Sequence, residues 1–411
     1  MNKKISLFSL SLLAAGCSIE NTGQLASDTM TTESVKTQTI KVATFNVSME
    51  ALNYLPYDPT RKTLAQGPEL ITALRSNRQQ IKNIAEIIQR TNPDIILLNE
   101  FDRSDDFAQS LKIFKEQYLA VSQNGQAPIE FPYSYQGPVN TGVKAPFDFN
   151  NNQIKGELPA DTYGFGHFAG HFGMVLLSKY PINQKQIRTF QQFKWQDMPG
   201  ALEPVEPSTN QPWYNKEAWQ NFRLSSKSHW DIPVNVDGKL VHILASHPTP
   251  PVFDGPEDRN GKRNHDEIRF WRDYLNGEQA SYIYDDKNQY GGLENDQAFV
   301  ILGDLNASAD EGDAINSSIA ALINHTKIQD AKPSSLGGVA SDKKNSPFAQ
   351  YHTAHWGMRA DYVLPSKVGF TIKDSGIFWP EPSDEGFRLV KDRQASSDHR
   401  LVWLELTLEN K

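Results

Sequence analysis

Six short polar clusters interrupt this sequence where apolar runs end or begin, and each holds residue types that handle phosphate or a divalent ion. Asn46 stands in TFN, Glu100 closes DIILLNE, and His247 follows LVHILAS. Asp304 and Asn306 follow FVILG, Asp361 opens DYVLP, and Asp398 and His399 precede RLVWLELTL. Carboxylates are hard oxygen ligands for Mg2+ or Mn2+ and can accept a proton from water. Histidine gives or takes protons near neutral pH, and amides hold oxygens without adding charge. Taken alone, DLNAS is an ordinary helix cap and Glu100 a solvated strand end. Four carboxylates gathered in one place repel one another and need a counter-ion, which a divalent cation supplies.

Positioning these residues together requires strands. TIKVATFNV (39–47) is strand-like, RSNRQQIKNIAEIIQRTNP carries Ile81, Ile84, Ala85 and Ile88 at helical spacing, and DIILLNE is a near-continuous apolar strand. Strand–helix–strand of this length is a βαβ-type opening, so the chain is α/β. HFGMVLLSKYPI, LVHILAS, QAFVILGD, RADYVLPS and HRLVWLELTL read as further strands, and HDEIRFWRDYL as a helix. In the last strand Val402, Leu404, Leu406 and Leu408 form one apolar face. In a mixed sheet, strand ends lie beside the starts of antiparallel neighbours, so all eight site candidates can collect at one edge. The segments 123–166, 191–225 and 334–350 are rich in Asn, Gly, Pro and aromatics, and are expected as ordered loops at the mouth of that site.

TFN, NE, SHPTP, GDLN, RADYV and SSDH, in this order, resemble the motif series of the endonuclease/exonuclease/phosphatase superfamily, across about residues 39–408. The resemblance implies a DNase-I-like four-layer α/β sandwich, two packed mixed β-sheets flanked by helices. It implies a metal-dependent phosphoesterase that uses Mg2+ (or Mn2+, with Ca2+ possible) and attacks a phosphate ester with in-line water. On matching positions, Glu100 resembles the principal metal ligand, with Asn46 and Asp398 assisting. Asp304 and Asn306 match the pair that orients or deprotonates water, His399 with Asp361 the His–Asp pair, and His247 the second histidine. Whether Asp304 or His399 is the base stays open.

The 411-residue chain is 38% hydrophobic and 22% charged, which fits a folded protein with a substantial core. The substrate expected is a phosphoester, either a small molecule or a nucleic-acid fragment; no protein partner is implied. The acidic balance, −8, offers no general attraction for a duplex. An endonuclease of DNA or RNA is the alternative, and a non-catalytic binding lipoprotein on the same fold is the second. Calcineurin-like metallophosphatases are disfavoured because neither of their signature strings occurs.

The first residues, MNKKISLFSLSLLAAGCS, pair Lys3 and Lys4 with a short apolar run, the pattern of an export leader (1–16) too short to span a membrane. LAAGC resembles a bacterial lipobox, which makes Cys17, the one cysteine of the chain, the expected lipidation site. Residues 17–38 read as a flexible tether and 39–411 as the phosphoesterase domain. Losing the leader takes the formal charge from −8 to −10. The expected location is the outer membrane, at its periplasmic face or the cell surface, with membrane contact through the Cys17 lipid.

Several residues stay nearer to structural work. His242 reads as a core histidine, and His167 and His171 sit in a glycine-rich loop rather than on a metal-binding helix face. Lys227 and His229 lie before a strand and have possible substrate roles. Arg259, Lys262, Arg263 and Asn264 follow His247 as an expected loop, from which Arg263 and Asn264 are candidate phosphate or substrate contacts.

Overall fold

The opening of the domain is built by sequence that leaves little choice. The computed structural model describes residues 38–56, 58, 63–294 and 296–409; the expected leader, Cys17 and the tether up to residue 37 lie outside the described residues. β1 (Gln38–Met49) and β2 (Ile95–Phe101) form a parallel pair, joined through α1 (Glu69–Arg75) and α2 (Gln79–Thr91). α2 stops because Asn92 takes a left-handed conformation (φ 49°), its N–H returning to the Ile88 carbonyl, and Pro93 follows. Next come α3 (Phe107–Ile113), β3 (Tyr133–Tyr135), β4 (Met174–Ser178), β5 (Arg188–Thr189), and a ribbon of β6 (Val205–Glu206) with β7 (Gln211–Pro212). α4 (Lys216–Asn221), β8 (His229–Val236), β9 (Lys239–Ser246), α5 (Arg259–Tyr274) and β10 (Ala298–Asp304) follow. The remainder is α6 (Ser317–Ile323), α7 (Leu336–Ser341), β11 (Asp361–Pro365), β12 (Phe370–Ile377) and β13 (Val402–Leu408).

Two mixed sheets result. The first runs β12-β13-β1-β2-β4-β3 and the second β11-β10-β9-β8-β5. Each has one parallel pair, β1 with β2 and β9 with β10, flanked by antiparallel strands. Their faces meet where β1 and β2 lie against β10, and where β11 meets β1 and β13. Side-chain alternation sorts the layers. Val300 and Leu302 of β10 face the inter-sheet core, while Phe299 and Ile301 face outward to Phe270, Trp271 and Tyr274 of α5. α1–α3 cover the first sheet, which completes a four-layer α/β sandwich. Phe45, Leu97 and Leu302 are fully hidden, and burying each such side chain is worth about 1.5–3 kcal/mol.

Three features differ from the sequence expectation. α5 begins at Arg259, six residues before His265, so the basic cluster lies on a helix and not in a loop. Gly261 lies in that first turn, where a Cβ would meet only the Asp258 carboxylate, the movable end of a side chain. Much of the aromatic sequence expected at the mouth instead packs on the outer face of the second sheet. Phe147, Phe149, Trp195, Tyr214 and Phe222 join the side chains of α5 in a second core, because rings this large gain more from burial than from lining a wet cleft. β12, an edge strand on β13, carried no clear signal in FTIKDSGI, whose polar positions face solvent.

Candidate active site

The polar clusters do meet at one edge of the two sheets. Asn46 and Glu100 end the parallel pair of the first sheet; His247 and Asp304 end that of the second. Asp304 sits opposite Asp361 across β10–β11, and Thr44 opposite Val402 brings the start of β13, with Asp398 and His399, beside the end of β1. Asp304 keeps the parity of Val300 and Leu302, and so faces the first sheet. Gly303 is required here: a Cβ would stand 2.0 Å from the Ser246 carbonyl on β9.

Asp304 is the meeting point. Its Oδ2 accepts from Asn46 Nδ2 at 3.1 Å and lies 3.5 Å from His247 Nε2 and 3.4 Å from His399 Nε2. Its Oδ1 accepts from the Asn306 N–H at 3.0 Å, and its own N–H donates to Asn99 Oδ1. Burial pushes the Asp304 carboxyl up to about 7, against the pull of His399. On the far side of the ring, His399 Nδ1 lies 2.9 Å from Asp361 Oδ2, which also accepts from the Thr353 hydroxyl at 2.7 Å. Burial works against the imidazolium, but Asp361 and Asp304 together push His399 up to about 10. The Trp356 ring stands edge-on to His399, centroids 5.0 Å apart.

His247 is deeply hidden; burial first, then the charges of Lys227 and His399, hold it well below its ordinary value, and its Nδ1 has no partner among the described residues. Asn306, left-handed at φ 52°, donates from Nδ2 to the Pro248 carbonyl and so ties the Asp304 turn to the loop after His247. Asp398 accepts from Ser48 Oγ at 3.0 Å; burial raises its carboxyl, but His399 and Arg393 outweigh it and hold Asp398 low.

Glu100 is strained and crowded by like charge. Its φ of 57° is a left-handed conformation that costs a residue with a Cβ about 1–3 kcal/mol. Burial and the carboxylates of Asp398 and Glu50 push it up to about 7. A half-buried carboxylate held in an unfavourable backbone state among other carboxylates suits a hard divalent cation, and this donor set fits one. Asp304, Asp361 and His399 also form a group whose ligand-type atoms lie within 4.8 Å of one another and could hold an ion. In this structure His399 Nδ1 already lies within hydrogen-bond distance of Asp361, so an ion held there would compete with that contact.

Arg263 and Asn264 do other work than expected. The Arg263 guanidinium donates to the carbonyls of Leu224, Tyr163 and Arg223, and stacks on Phe222. Asn264, fully buried, donates to the carbonyls of Thr249 and Leu305. Both sit on α5, and the hydrogen bonds they donate among the described residues all go to backbone carbonyls. His242 donates to or accepts from Asp231 at 2.7 Å within the sheet. His171 accepts the His167 N–H on Nδ1, so its Nε2–H donates to Glu50 at 2.9 Å and pins the glycine-rich loop.

Other contributors were not singled out in the sequence. Buried Asn99 takes the Thr44 hydroxyl and the Asp304 N–H on one oxygen; an amide inside an apolar strand was the available signal. Thr353 gave none. Glu267 of α5 accepts from the Ser226 and Thr249 N–H groups and clamps the loops on both sides of β8 and β9.

A sandwich of this order, with carboxylates, histidines and amides at one sheet edge, defines a phosphoesterase-type fold. The chain belongs to the endonuclease/exonuclease/phosphatase family, whose pattern matches residues 43–399. Among solved structures it is similar to an endonuclease/exonuclease/phosphatase from Beutenbergia cavernae DSM 12333 (16% identity, TM-score 0.48, covering 90% of this chain and 72% of that one). It is also similar to the human Nocturnin catalytic domain (12% identity, TM-score 0.46, 90% and 95%). A third is a mutant beta toxin from Staphylococcus aureus with bound magnesium ions (14%, 0.42, 90% and 100%). No curated protein matches the chain.

Proposed function

We propose that this protein hydrolyses phosphate esters with a divalent cation, Mg2+ or Mn2+, bound at Glu100 and assisted by Asn46 and Asp398. The observation that carries this reading is the convergence of Asn46 Nδ2, His247 Nε2 and His399 Nε2 on one oxygen of Asp304. When bound, the cation neutralises charge that develops on the phosphoryl and leaving oxygens. Asp304 is placed to orient water and take its proton, while the Asn306 N–H fixes its other oxygen. His399, held by Asp361, presents an N–H to a phosphoryl oxygen, and His247 supports the oxygen that departs.

The test compares p-nitrophenyl phosphate, bis-p-nitrophenyl phosphate and single- and double-stranded DNA, with Mg2+, Mn2+, Ca2+ or EDTA, in the wild type and Asp304→Asn. Metal-dependent turnover that the substitution abolishes supports the reading. No turnover on any substrate with any metal sinks it.

The same proposal includes export and a lipid anchor on Cys17, supported by LAAGC and the leader pattern. Palmitate labelling of the full chain, lost in Cys17→Ser together with membrane association, is the expected result. Unchanged labelling in that variant contradicts it.

A further inference from the structure

The loop before β8 holds a buried lysine whose ammonium has no partner among the described residues. Lys227 is only 5% exposed. Its main chain is fixed from several directions: the Asn140 N–H donates to its carbonyl, while the preceding Ser226 N–H donates to Glu267 and the Ser226 hydroxyl donates to the His247 carbonyl. Gly164 approaches so closely that a Cβ would stand 1.9 Å from the Ser226 carbonyl. Yet the Lys227 ammonium makes no hydrogen bond or ion pair among the described residues.

The carboxylates whose field it feels, Glu267, Glu100 and Asp304, are otherwise engaged. Glu267 has two backbone N–H donors and the Arg263 charge, and Asp304 has Asn46 and Asn306. Glu100 is the proposed metal ligand. Hidden charges are matched when a site is complete. Geometry places it at the site: His229 pairs with Ser246 where β8 begins and β9 ends, and the Ser226 hydroxyl reaches the His247 carbonyl, so Lys227 lies in the loop beside His247, whose Nε2 is 3.5 Å from Asp304.

We propose that Lys227 is a catalytic residue whose ammonium binds a terminal phosphoryl oxygen of the substrate, and that it makes the site favour a phosphomonoester over a diester. The assignment rests on the phosphoesterase reading above and extends it to the class of ester. A monoester dianion brings one more anionic oxygen than a diester, and a fixed ammonium with three donors has that much more to bind. No bond is made or broken at Lys227; it contributes charge and hydrogen bonds as charge shifts onto the phosphoryl oxygens.

The experiment uses inorganic phosphate as the probe, with wild type, Lys227→Met and Lys227→Ala. In wild type, phosphate binds and inhibits competitively. In Lys227→Met, phosphate affinity falls at least tenfold, whereas the Mg2+-induced rise in melting temperature persists. The kcat/KM for p-nitrophenyl phosphate drops at least tenfold more than that for the bis ester. Ethylammonium added to Lys227→Ala, which leaves room for it, restores part of the monoester activity and of phosphate binding. This rescue reads the missing charge even if the Met variant folds poorly. Equal phosphate affinity in wild type and variant, or equal losses on mono- and diester, overturns the proposal. Phosphate binding that depends on Lys227 in a protein without turnover preserves the anion site and rejects the phosphoesterase reading instead.

Discussion

His399 Nδ1 and Asp361 Oδ2 lie 2.9 Å apart although they belong to different sheets: His399 leads into β13 and Asp361 opens β11. The contact fixes which ring nitrogen carries a proton toward Asp361 and which faces Asp304. Thr353 shares the same carboxylate oxygen, while Asp361 Oδ1 has no partner among the described residues.

Asp361→Asn therefore keeps shape while removing the charge behind the ring. The expected outcome is a fall in kcat of about 10²- to 10⁴-fold with the far-UV spectrum unchanged. A variant as fast as wild type removes the His–Asp pair from the mechanism.

Glu100 is crowded by like charge, which a cation held there would relieve. Mg2+ should raise the melting temperature of wild type and leave that of Glu100→Gln unmoved. In EDTA the variant should be at least as stable as wild type, since one of several close carboxylates is gone. Differential scanning calorimetry with and without metal checks both parts; an equal Mg2+ shift in the variant would place the ion elsewhere.

Two buried rings set an acid limit. Burial lowers His229 from 6.5 to about 4 and His171 to about 3, so both are neutral in the folded chain. Their contribution to stability is complete above pH 6.5. Below it the unfolded chain binds protons that the folded chain refuses, and stability falls by about 1.4 kcal/mol per pH unit for each ring. For His229 the loss is complete near its folded value, about pH 4. Glu100 and Asp304, raised to about 7, gain protons on folding over the same range and oppose this loss, so urea titrations at pH 7.5, 6.0 and 5.0 should show His229 as a fall in wild-type stability relative to His229→Gln. Identical slopes would mean that His229 charges without cost.

Asn264 ties the turn after Asp304 to the loop after His247 through the Leu305 and Thr249 carbonyls. Asn264→Ala leaves two buried acceptors short of a donor, at a cost of about 1–3 kcal/mol. Because the turn and loop lose register, kcat should fall while KM changes little. A drop in KM-linked affinity alone would return Asn264 to the substrate-contact role.

The residues of the site were legible because buried strands announce themselves as apolar runs, and a polar residue that ends one has few innocent reasons to be there. That reasoning found the edge where Asn46, Glu100, His247, Asp304, Asp361 and His399 meet. It placed Arg259, Lys262, Arg263 and Asn264 in a loop because bases and acids interleave there after His247, whereas α5 begins at Arg259. It could not see Thr353, whose hydroxyl reaches Asp361 through a turn with no periodic signature. Nor could it tell wet loops from packed ones: Phe149 and Tyr214 are surrounded by other rings.

The first and last strands are neighbours, with Gln38 opposite Leu408, and β1 runs from there toward Asn46. Eight residues of strand separate the two ends, a span of about 26 Å at the usual rise. Gln38 and Leu408 therefore mark the end of this sheet opposite the polar edge, and a change made there reaches Asn46 only through the length of β1.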